Sequence, residues 1–160
     1  MTMKKLLLAL GLLAGLIVPA SAHGFTIGEI EIVHPFLRAT PPKATTAAGY
    51  MVIRNGGSTP DRLLRIETTA AEKVEFHRTV IEGGIAKMQP IKEGFEIPAG
   101  DEFRLGADGT HAMLVGLTGP IDLGFLMDAT LVFDKAGALP MTFEVEPAGT
   151  KLEDTEAHHE

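Results

Sequence analysis

Short runs of apolar residues, many of them alternating with polar residues, recur along the chain and are separated by glycine and proline. No stretch sustains the 3.6-residue period of an amphipathic helix, whereas alternation with a period of two is typical of half-buried strands. The pattern therefore predicts an all-β protein. The expected strands span residues 26–33, 47–54, 63–68, 73–80, 85–88, 102–105, 111–117, 130–134 and 141–145.

The breaks between these segments carry the residues that turns require. Asn55-Gly56, Gly83-Gly84 and Asp108-Gly109 supply backbone positions that tolerate positive φ, and Pro41-Pro42 and Gly119-Pro120 supply a fixed φ. Many short strands with close, glycine-rich connections favour an antiparallel β-sandwich or a small barrel.

The first 22 residues have the organisation of an export signal. Lys4 and Lys5 precede an apolar run over residues 6–18, which is followed by Pro19-Ala20-Ser21-Ala22 with small residues at the cleavage positions. The apolar run is shorter than the roughly 20 residues that span a bilayer. We expect cleavage after Ala22 and a soluble periplasmic protein, with an uncleaved signal anchor as the alternative.

Removal of residues 1–22 would leave a chain of ordinary single-domain length beginning at His23. We assign residues 23–146 to one β domain. Residues 147–160 are acidic and contain a single large apolar residue, Leu152, so they are expected to form a flexible tail that ends in His158-His159 and Glu160.

Charge and cysteine content exclude several classes of function. Loss of Lys4 and Lys5 with the signal changes the formal net charge from −7 to −9. An acidic protein of this kind lacks the basic surface that nucleic acid or an anionic membrane would need. The chain has no cysteine, which excludes disulfides, thiol redox chemistry and a blue-copper site.

The candidate chemistry lies in two histidines and two methionines. Ten residues separate His77 from Met88, twenty-two separate Met88 from His111, and one separates His111 from Met113. Imidazole nitrogen combined with neutral, polarizable thioether sulfur suits a soft monovalent ion, whereas Zn²⁺, Mg²⁺ and Ca²⁺ sites favour thiolate or oxygen ligands. The composition of this set therefore indicates Cu(I).

Strand geometry places these side chains in two pairs. His111 and Met113 are two residues apart and project from the same face of one strand. In the preceding hairpin, a two-residue turn at Glu82-Gly83 would put His77 directly opposite Met88, and a turn at Gly83-Gly84 would make the two diagonal neighbours on one face. A three-residue loop would separate them onto opposite faces. Each residue taken singly also fits an ordinary role, methionine as a core filler and histidine as a hydrogen-bonded structural group.

These residues also carry a resemblance to a known family. The chain resembles the PCuAC family of periplasmic copper chaperones, whose motif is His, ten residues, Met, about twenty-one residues, then His-x-Met. The similarity extends from about residue 30 to 145. The chain departs from the family pattern in two places: the gap between Met88 and His111 is twenty-two residues, and Phe36 stands where the family usually has Trp. The second change is expected to affect packing. The segments of this chain that carry the resemblance are Arg38-Ala39-Thr40-Pro41-Pro42, Ala48-Gly49-Tyr50-Met51, Gly83-Gly84-Ile85-Ala86-Lys87-Met88, Ile97-Pro98-Ala99-Gly100 and His111-Ala112-Met113-Leu114.

The resemblance implies a cupredoxin-like antiparallel Greek-key β-sandwich or barrel. It also implies Cu(I) ligation by His77, Met88, His111 and Met113 and a role as a metallochaperone rather than an enzyme, with no catalytic residues. Family members are linked to the supply of copper to the CuA or CuB centres of respiratory haem–copper oxidases. The expected protein partners are therefore an oxidase subunit or a Sco-type thiol protein.

Several alternatives remain open at this stage. The protein could store copper or confer copper tolerance, or it could be a metal-free β-sandwich module for protein interaction. An enzymatic alternative would place His23 in a two-histidine copper centre, but no second histidine has an obvious position to join it. A weaker second site for Cu(II) is also predicted at His158 and His159 or at the mature N-terminal His23, since nitrogen and carboxylate ligands favour the divalent ion.

Overall fold

A computed structural model describes residues 24–152 of the chain, apart from the side chains of residues 107 and 108. This part of the protein consists of eleven strands joined by turns and contains no α-helix. Within the same residues, no helix has the length and apolar character needed to cross a membrane. The strands are β1 (Gly24–Ile27), β2 (Ile30–Arg38), β3 (Thr46–Asn55), β4 (Asp61–Thr68), β5 (Ala71–Glu82), β6 (Ile85–Pro90), β7 (Phe95–Ile97), β8 (Glu102–Asp108), β9 (Thr110–Leu117), β10 (Leu126–Phe133) and β11 (Ala138–Glu146).

Hydrogen bonds link the strands in the order β6-β5-β9-β3-β2-β11-β10-β4-β7, with β1 added to β2 and β8 added to β3. Almost all neighbours are antiparallel, as the sequence predicted. The exception is the pair β2 and β11, which run parallel, with Phe36 opposite Glu144 and Arg38 opposite Glu146. The sheet is therefore mixed, with this one parallel pair in an otherwise antiparallel arrangement.

The sheet folds back on itself around an apolar core. Phe76 of β5 and Phe95 of β7 belong to strands near opposite ends of the hydrogen-bonded path, yet their rings are 4.9 Å apart, and Phe95 stacks on Phe103 of β8 at 4.5 Å. Contact between distant strands requires a closed or sandwiched arrangement, because neighbours in a flat sheet could not meet in this way. The buried interior is formed by alternate residues of the strands, including Ile32, Leu37, Met51, Ile53, Leu63, Leu105, Leu131 and Phe143.

Two strand predictions differ from the structure. Residues 26–33 are not one strand, because Gly28 adopts a φ of 57° and the chain turns at Gly28-Glu29 before β2 begins. The three-residue strand β7 was not predicted at all, since a segment so short carries no usable alternation. Most of the remaining strands extend beyond their predicted ends, as hydrogen bonding with a neighbour continues past the apolar residues.

The chain beyond β11 is packed against the domain as far as the structure describes it. Leu152 is only 3% exposed and lies in a cluster with Phe36, Tyr50 and Val52. Arg38 donates a hydrogen bond from Nε to the carbonyl oxygen of Thr150 at 2.7 Å. Thr150 and Leu152, which the sequence analysis assigned to the flexible tail, thus contact the β domain. The rest of the predicted tail, with His158 and His159, lies outside the described residues, as do the predicted signal of residues 1–22 and His23.

Replacement of Leu152 by alanine is expected to destabilise the domain by about 2 to 5 kcal/mol, the usual cost of a cavity left by a buried leucine. The measurement is urea denaturation. Leu123→Ala provides the matched control, because Leu123 is 63% exposed and surface substitutions usually change stability by less than about 0.5 kcal/mol. Equal, small effects of the two substitutions would contradict the packing of residues 147–152 onto the sheet.

Candidate metal centre

The candidate site is built by the antiparallel pairing of β5 with β9. In this register His77 lies directly opposite His111, and Glu75 lies directly opposite Met113. Directly opposed residues share a face of the sheet, and residues two apart on one strand do so as well. The four side chains therefore form a square on one face, with two members from each strand.

Three of the four predicted ligands are thus brought together. The rings of His77 and His111 have centroids 5.9 Å apart and are nearly perpendicular, at 86°. Nδ1 of His77 lies 3.1 Å from Sδ of Met113. Two ligands of a single tetrahedral ion would be separated by about 3.5 Å at bond lengths of about 2.0 Å to nitrogen and about 2.3 Å to sulfur, the values typical of zinc. The two atoms are thus close to the separation that chelation of one ion requires.

The fourth predicted ligand, Met88, lies beside this group on the β5–β6 hairpin. The turn consists of Gly83 and Gly84, with φ values of 59° and 79°, so the second of the two predicted turns is observed. In the resulting register Met88 is opposite Thr79 rather than His77. It is therefore a diagonal neighbour of His77 on the same face. Met88 is 58% exposed on the edge strand β6, so it lies at the solvent-accessible edge of the sheet beside His77.

The orientation of His111 is set by the turn between β8 and β9. Its Nδ1 lies 3.2 Å from the carbonyl oxygen of Gly109, so Nδ1 carries the proton and donates it, which leaves Nε2 as the atom with a free lone pair. The same carbonyl accepts a hydrogen bond from the backbone N–H of Thr79 at 3.1 Å. Gly109 has a φ of 72°, and a Cβ there would lie 3.1 Å from the Thr79 carbonyl oxygen. Glycine at this position therefore allows the turn to approach β5 and hold the ring.

Burial lowers the pKa of His111 below its ordinary value. The hydrogen bond to Gly109 acts in the opposite direction, and the positive charges of His77, when it is protonated, and of Arg38 lower the pKa further. The environment therefore favours the neutral imidazole, which is the form that binds metal.

Glu75 is a member of the site that the sequence analysis missed. Its Oε2 lies 3.3 Å from Nε2 of His77, and its Oε1 lies 2.6 Å from Nζ of Lys73. The hydrogen bond from Lys73 is the largest cause of a lowered pKa for Glu75, and desolvation acts against it, so the carboxyl group is ionised at neutral pH. The signal was available in the sequence, because Glu75 is two residues from His77 on the same strand and must share its face.

Arg38 brings a positive charge to the edge of the site. Its guanidinium lies 4.4 Å from the centre of the Tyr50 ring, and Tyr50 stacks on Phe36 at 5.2 Å. Phe36 is fully buried, so its contribution is to packing, as expected for the position where the PCuAC family usually has Trp. Arg38 and Tyr50 were noted in the sequence as parts of motifs, but their contact depends on the pairing of β2 with β3 and could not be assigned from spacing.

The described residues favour a soft ion over a hard one at this site. Among residues 24–152, no group of three or more His, Cys, Asp or Glu side chains is arranged to hold a metal ion. The soft donors that the structure places near His77 are the thioether sulfur of Met113 at 3.1 Å and, on the neighbouring strand, that of Met88. Thioether ligands discriminate against Mg²⁺ and Ca²⁺ and suit Cu(I).

Comparison with known proteins gives consistent matches over most of the chain. The sequence model of a family described as "Putative lipoprotein LpqE-like" matches residues 30–145. The "Putative lipoprotein Lxx21020" of Leifsonia xyli subsp. xyli (strain CTCB07) is 31% identical over 131 residues, which cover 81% of this chain and 78% of the relative.

Two solved structures with related sequences have the same fold. The copper-bound PCuAC domain from PmoF2 is 29% identical, with a TM-score of 0.66, and the match covers 78% of this chain and 98% of that domain. The solution structure of CuI-DR1885 from Deinococcus radiodurans is 26% identical, with a TM-score of 0.60 and coverage of 82% and 85%. The predicted all-β, cupredoxin-like fold is thereby confirmed. Because the family model and the relative each match well over half of its length, the chain belongs to the LpqE-like lipoprotein family.

Proposed function

We propose that this protein is a Cu(I) carrier of the cell envelope, a metallochaperone without catalytic activity, in which His77, Met88, His111 and Met113 bind the ion. The observation that carries the proposal is the convergence of an imidazole nitrogen and a thioether sulfur, 3.1 Å apart, beside a second imidazole. The structural relatives support it, since one is described as copper-bound and another as a Cu(I) form.

The preference for Cu(I) follows from the charge of the ligands. Two neutral imidazoles and two neutral thioethers offer no negative charge to offset a divalent ion, and the sulfurs are soft donors. The carboxylate of Glu75 is near the site, but its charge is offset by Lys73 at 2.6 Å. The arrangement is therefore suited to hold copper in the monovalent state.

Transfer of the ion is favoured by the position of Met88. His77 has a side chain that is 13% exposed, whereas Met88 is 58% exposed on an edge strand. A ligand of an acceptor protein could approach copper from this side and replace Met88 while the other three ligands still hold the ion. Stepwise exchange of this kind avoids a free ion, which is what a carrier requires.

We further propose that the protein is exported through the signal at residues 1–22 and cleaved after Ala22. It then delivers copper to the CuA or CuB centre of a haem–copper oxidase, either directly or together with a Sco-type thiol protein. The names of the family and of the relative, both lipoproteins, support a location in the envelope. Incubation of the Cu(I)-loaded protein with the apo form of a soluble CuA domain, followed by addition of a one-electron oxidant, tests the delivery. Appearance of the CuA absorption after the oxidant removes one electron from the two transferred Cu(I) ions is the expected result. Absence of transfer would favour the alternative of storage or tolerance.

Anaerobic titration of residues 23–160 with Cu(I), in competition with a chromophoric chelator, tests the central proposal. A colourless complex with one tightly bound Cu(I) per chain is expected. Failure to compete with the chelator would favour a metal-free interaction module. In a separate titration with Cu(II), an electron paramagnetic resonance signal that depends on His23 would show the N-terminal copper site that the enzymatic alternative requires.

Met113→Leu should weaken Cu(I) binding strongly while leaving the fold nearly intact, because leucine is close to methionine in volume but has no sulfur. Volume-conserving apolar substitutions usually cost less than about 1.5 kcal/mol of stability. Met127→Leu is the matched control, since Met127 is a core methionine only 1% exposed and lies outside the site. Copper affinity that falls equally in both variants, or in neither, would show that Met113 is not a ligand.

Cu(I) affinity should decrease on acidification, because both imidazoles must be neutral to bind the metal, whereas thioethers do not titrate. An ordinary histidine takes up its proton near pH 6.5. Since the pKa of His111 is lowered, its ring remains neutral to a lower pH. Protons therefore compete with copper for this ring at a lower pH than for an ordinary imidazole. Chelator competition between about pH 7 and 5 measures the affinity, and NMR of the apo protein should place the His111 midpoint below about 6.5. An affinity that does not change with pH would argue against both histidine ligands.

Truncation of the tail is expected to reduce Cu(II) uptake without affecting Cu(I). The proposed second site uses the imidazoles of His158 and His159 with neighbouring carboxylates, which are harder ligands than the thioethers. The chain should end after Leu152, because removal of that buried residue would disturb the fold. Comparison with the full chain from His23 isolates the contribution of residues 153–160 from that of the N-terminus. Equal Cu(II) binding by the two proteins would show that His158 and His159 take no part.

A further inference from the structure

The two ring nitrogens of His77 face different partners. Nε2 lies 3.3 Å from Oε2 of Glu75, and Nδ1 lies 3.1 Å from Sδ of Met113. In a neutral imidazole only one nitrogen carries a proton, and an ionised carboxylate can only accept a hydrogen bond. A proton on Nε2 therefore gives a charge-assisted hydrogen bond to Glu75, whereas a proton on Nδ1 would face a thioether, a weak acceptor, and would leave the Nε2 lone pair against the carboxylate.

We propose that Glu75 is a positioning residue for the metal centre: its carboxylate accepts the Nε2–H of His77 and thereby fixes Nδ1 as the atom that binds copper. The inference rests on the proposed copper-binding function and adds a residue to it. Glu75 does not bind the ion in this scheme, because the in-plane lone pairs of Nδ1 and Nε2 point away from each other, so that an ion at Nδ1 lies on the side of Met113.

The surroundings of Glu75 are consistent with this role. It is directly opposite Met113 across β5 and β9, and it is on the same face as His77. Its second oxygen is engaged by Lys73 at 2.6 Å, which restrains the carboxylate and offsets its charge. Exposure of the Glu75 side chain is 39%, against 13% for His77, so the carboxylate lies on the outer side of the ring.

The two histidines would then use different atoms. The Gly109 carbonyl accepts the proton of Nδ1 in His111 and leaves Nε2 free, whereas Glu75 leaves Nδ1 free in His77. A hydrogen bond from the remaining ring N–H to a carboxylate or a carbonyl is the usual arrangement around metal-binding histidines, and its removal typically costs 10- to 100-fold in metal affinity. Each ring of this pair has one such partner.

Two variants, Glu75→Leu and Glu75→Gln, distinguish a positioning role of the Glu75 oxygen from effects of its charge and of side-chain size. Leucine removes the acceptor, so Cu(I) affinity in the chelator competition should fall by about 10- to 100-fold. Glutamine keeps a side-chain oxygen that can accept the Nε2 proton, so this variant should recover most of the affinity. Glu144→Leu is the matched control, because Glu144 is an exposed carboxylate on β11. The Cu(I) affinity of this variant should equal that of the wild type.

Nitrogen-15 NMR of the imidazole rings shows which ring nitrogen carries the proton, and a purely structural role of Glu75 would not change this. In the wild-type apo protein the protonated nitrogen of His77 should be Nε2, and Cu(I) should change the shift of Nδ1. Loss of the Nε2–H tautomer is expected in Glu75→Leu. If Cu(I) instead binds Nε2, or if Glu75→Leu retains wild-type affinity, the inference is overturned.

The same experiments distinguish failure of the inference from failure of the proposed function. A wild-type protein that does not bind Cu(I) refutes the function, whatever the variants do. A wild-type protein that binds Cu(I) with the other nitrogen refutes only the role of Glu75. If Glu75→Leu does not fold, the ring assignment in the wild-type protein decides the question without it.

Discussion

The candidate metal centre depends on the register between β5 and β9. Side chains alternate between the two faces of a strand, so a slip of one residue would carry His77 to the opposite face from His111. The register is held by the apolar residues between the functional ones: Phe76 is paired with Ala112, and both are buried in the core. The free energy of core burial therefore fixes a pairing that the polar side chains on the other face could not enforce alone.

The face that carries the site is only partly covered. Leu152 packs with Phe36 and Tyr50 and lies against Gly106, where an added Cβ would come within 3.2 Å of the leucine side chain. At the other edge, the β5–β6 hairpin extends into solvent with Met88 on its outer strand. The candidate site thus lies between this packed region and the open edge that carries Met88. A fully buried site would hold the ion more firmly but would hinder its transfer.

The sequence predicted those features that depend on local periodicity. Alternation put His111 and Met113 on one face, and the glycine pair limited the hairpin to two registers, of which the structure has the diagonal one. The direct opposition of His77 and His111 could not be predicted, because alternation states which face a residue occupies but not which strand is its neighbour. The contact of Arg38 with Tyr50 and the packing of Leu152 depend in the same way on long-range pairing. The position of Glu75 beside His77 was predictable, because the two residues are two apart on one strand and must share a face.

Burial and ligand charge act in the same direction at this centre. Burial lowers the pKa of His111 because a positive charge loses solvation there. Since the solvation energy of an ion grows with the square of its charge, the same burial disfavours a divalent ion more strongly than a monovalent one. The positive charge of Arg38 also lowers the pKa of His111, and it would likewise oppose the higher charge state of an ion bound there. Desolvation that keeps His111 neutral would therefore also oppose oxidation of a bound Cu(I), and the proposed carboxylate partner of His77 would not reverse this preference because Lys73 offsets its charge.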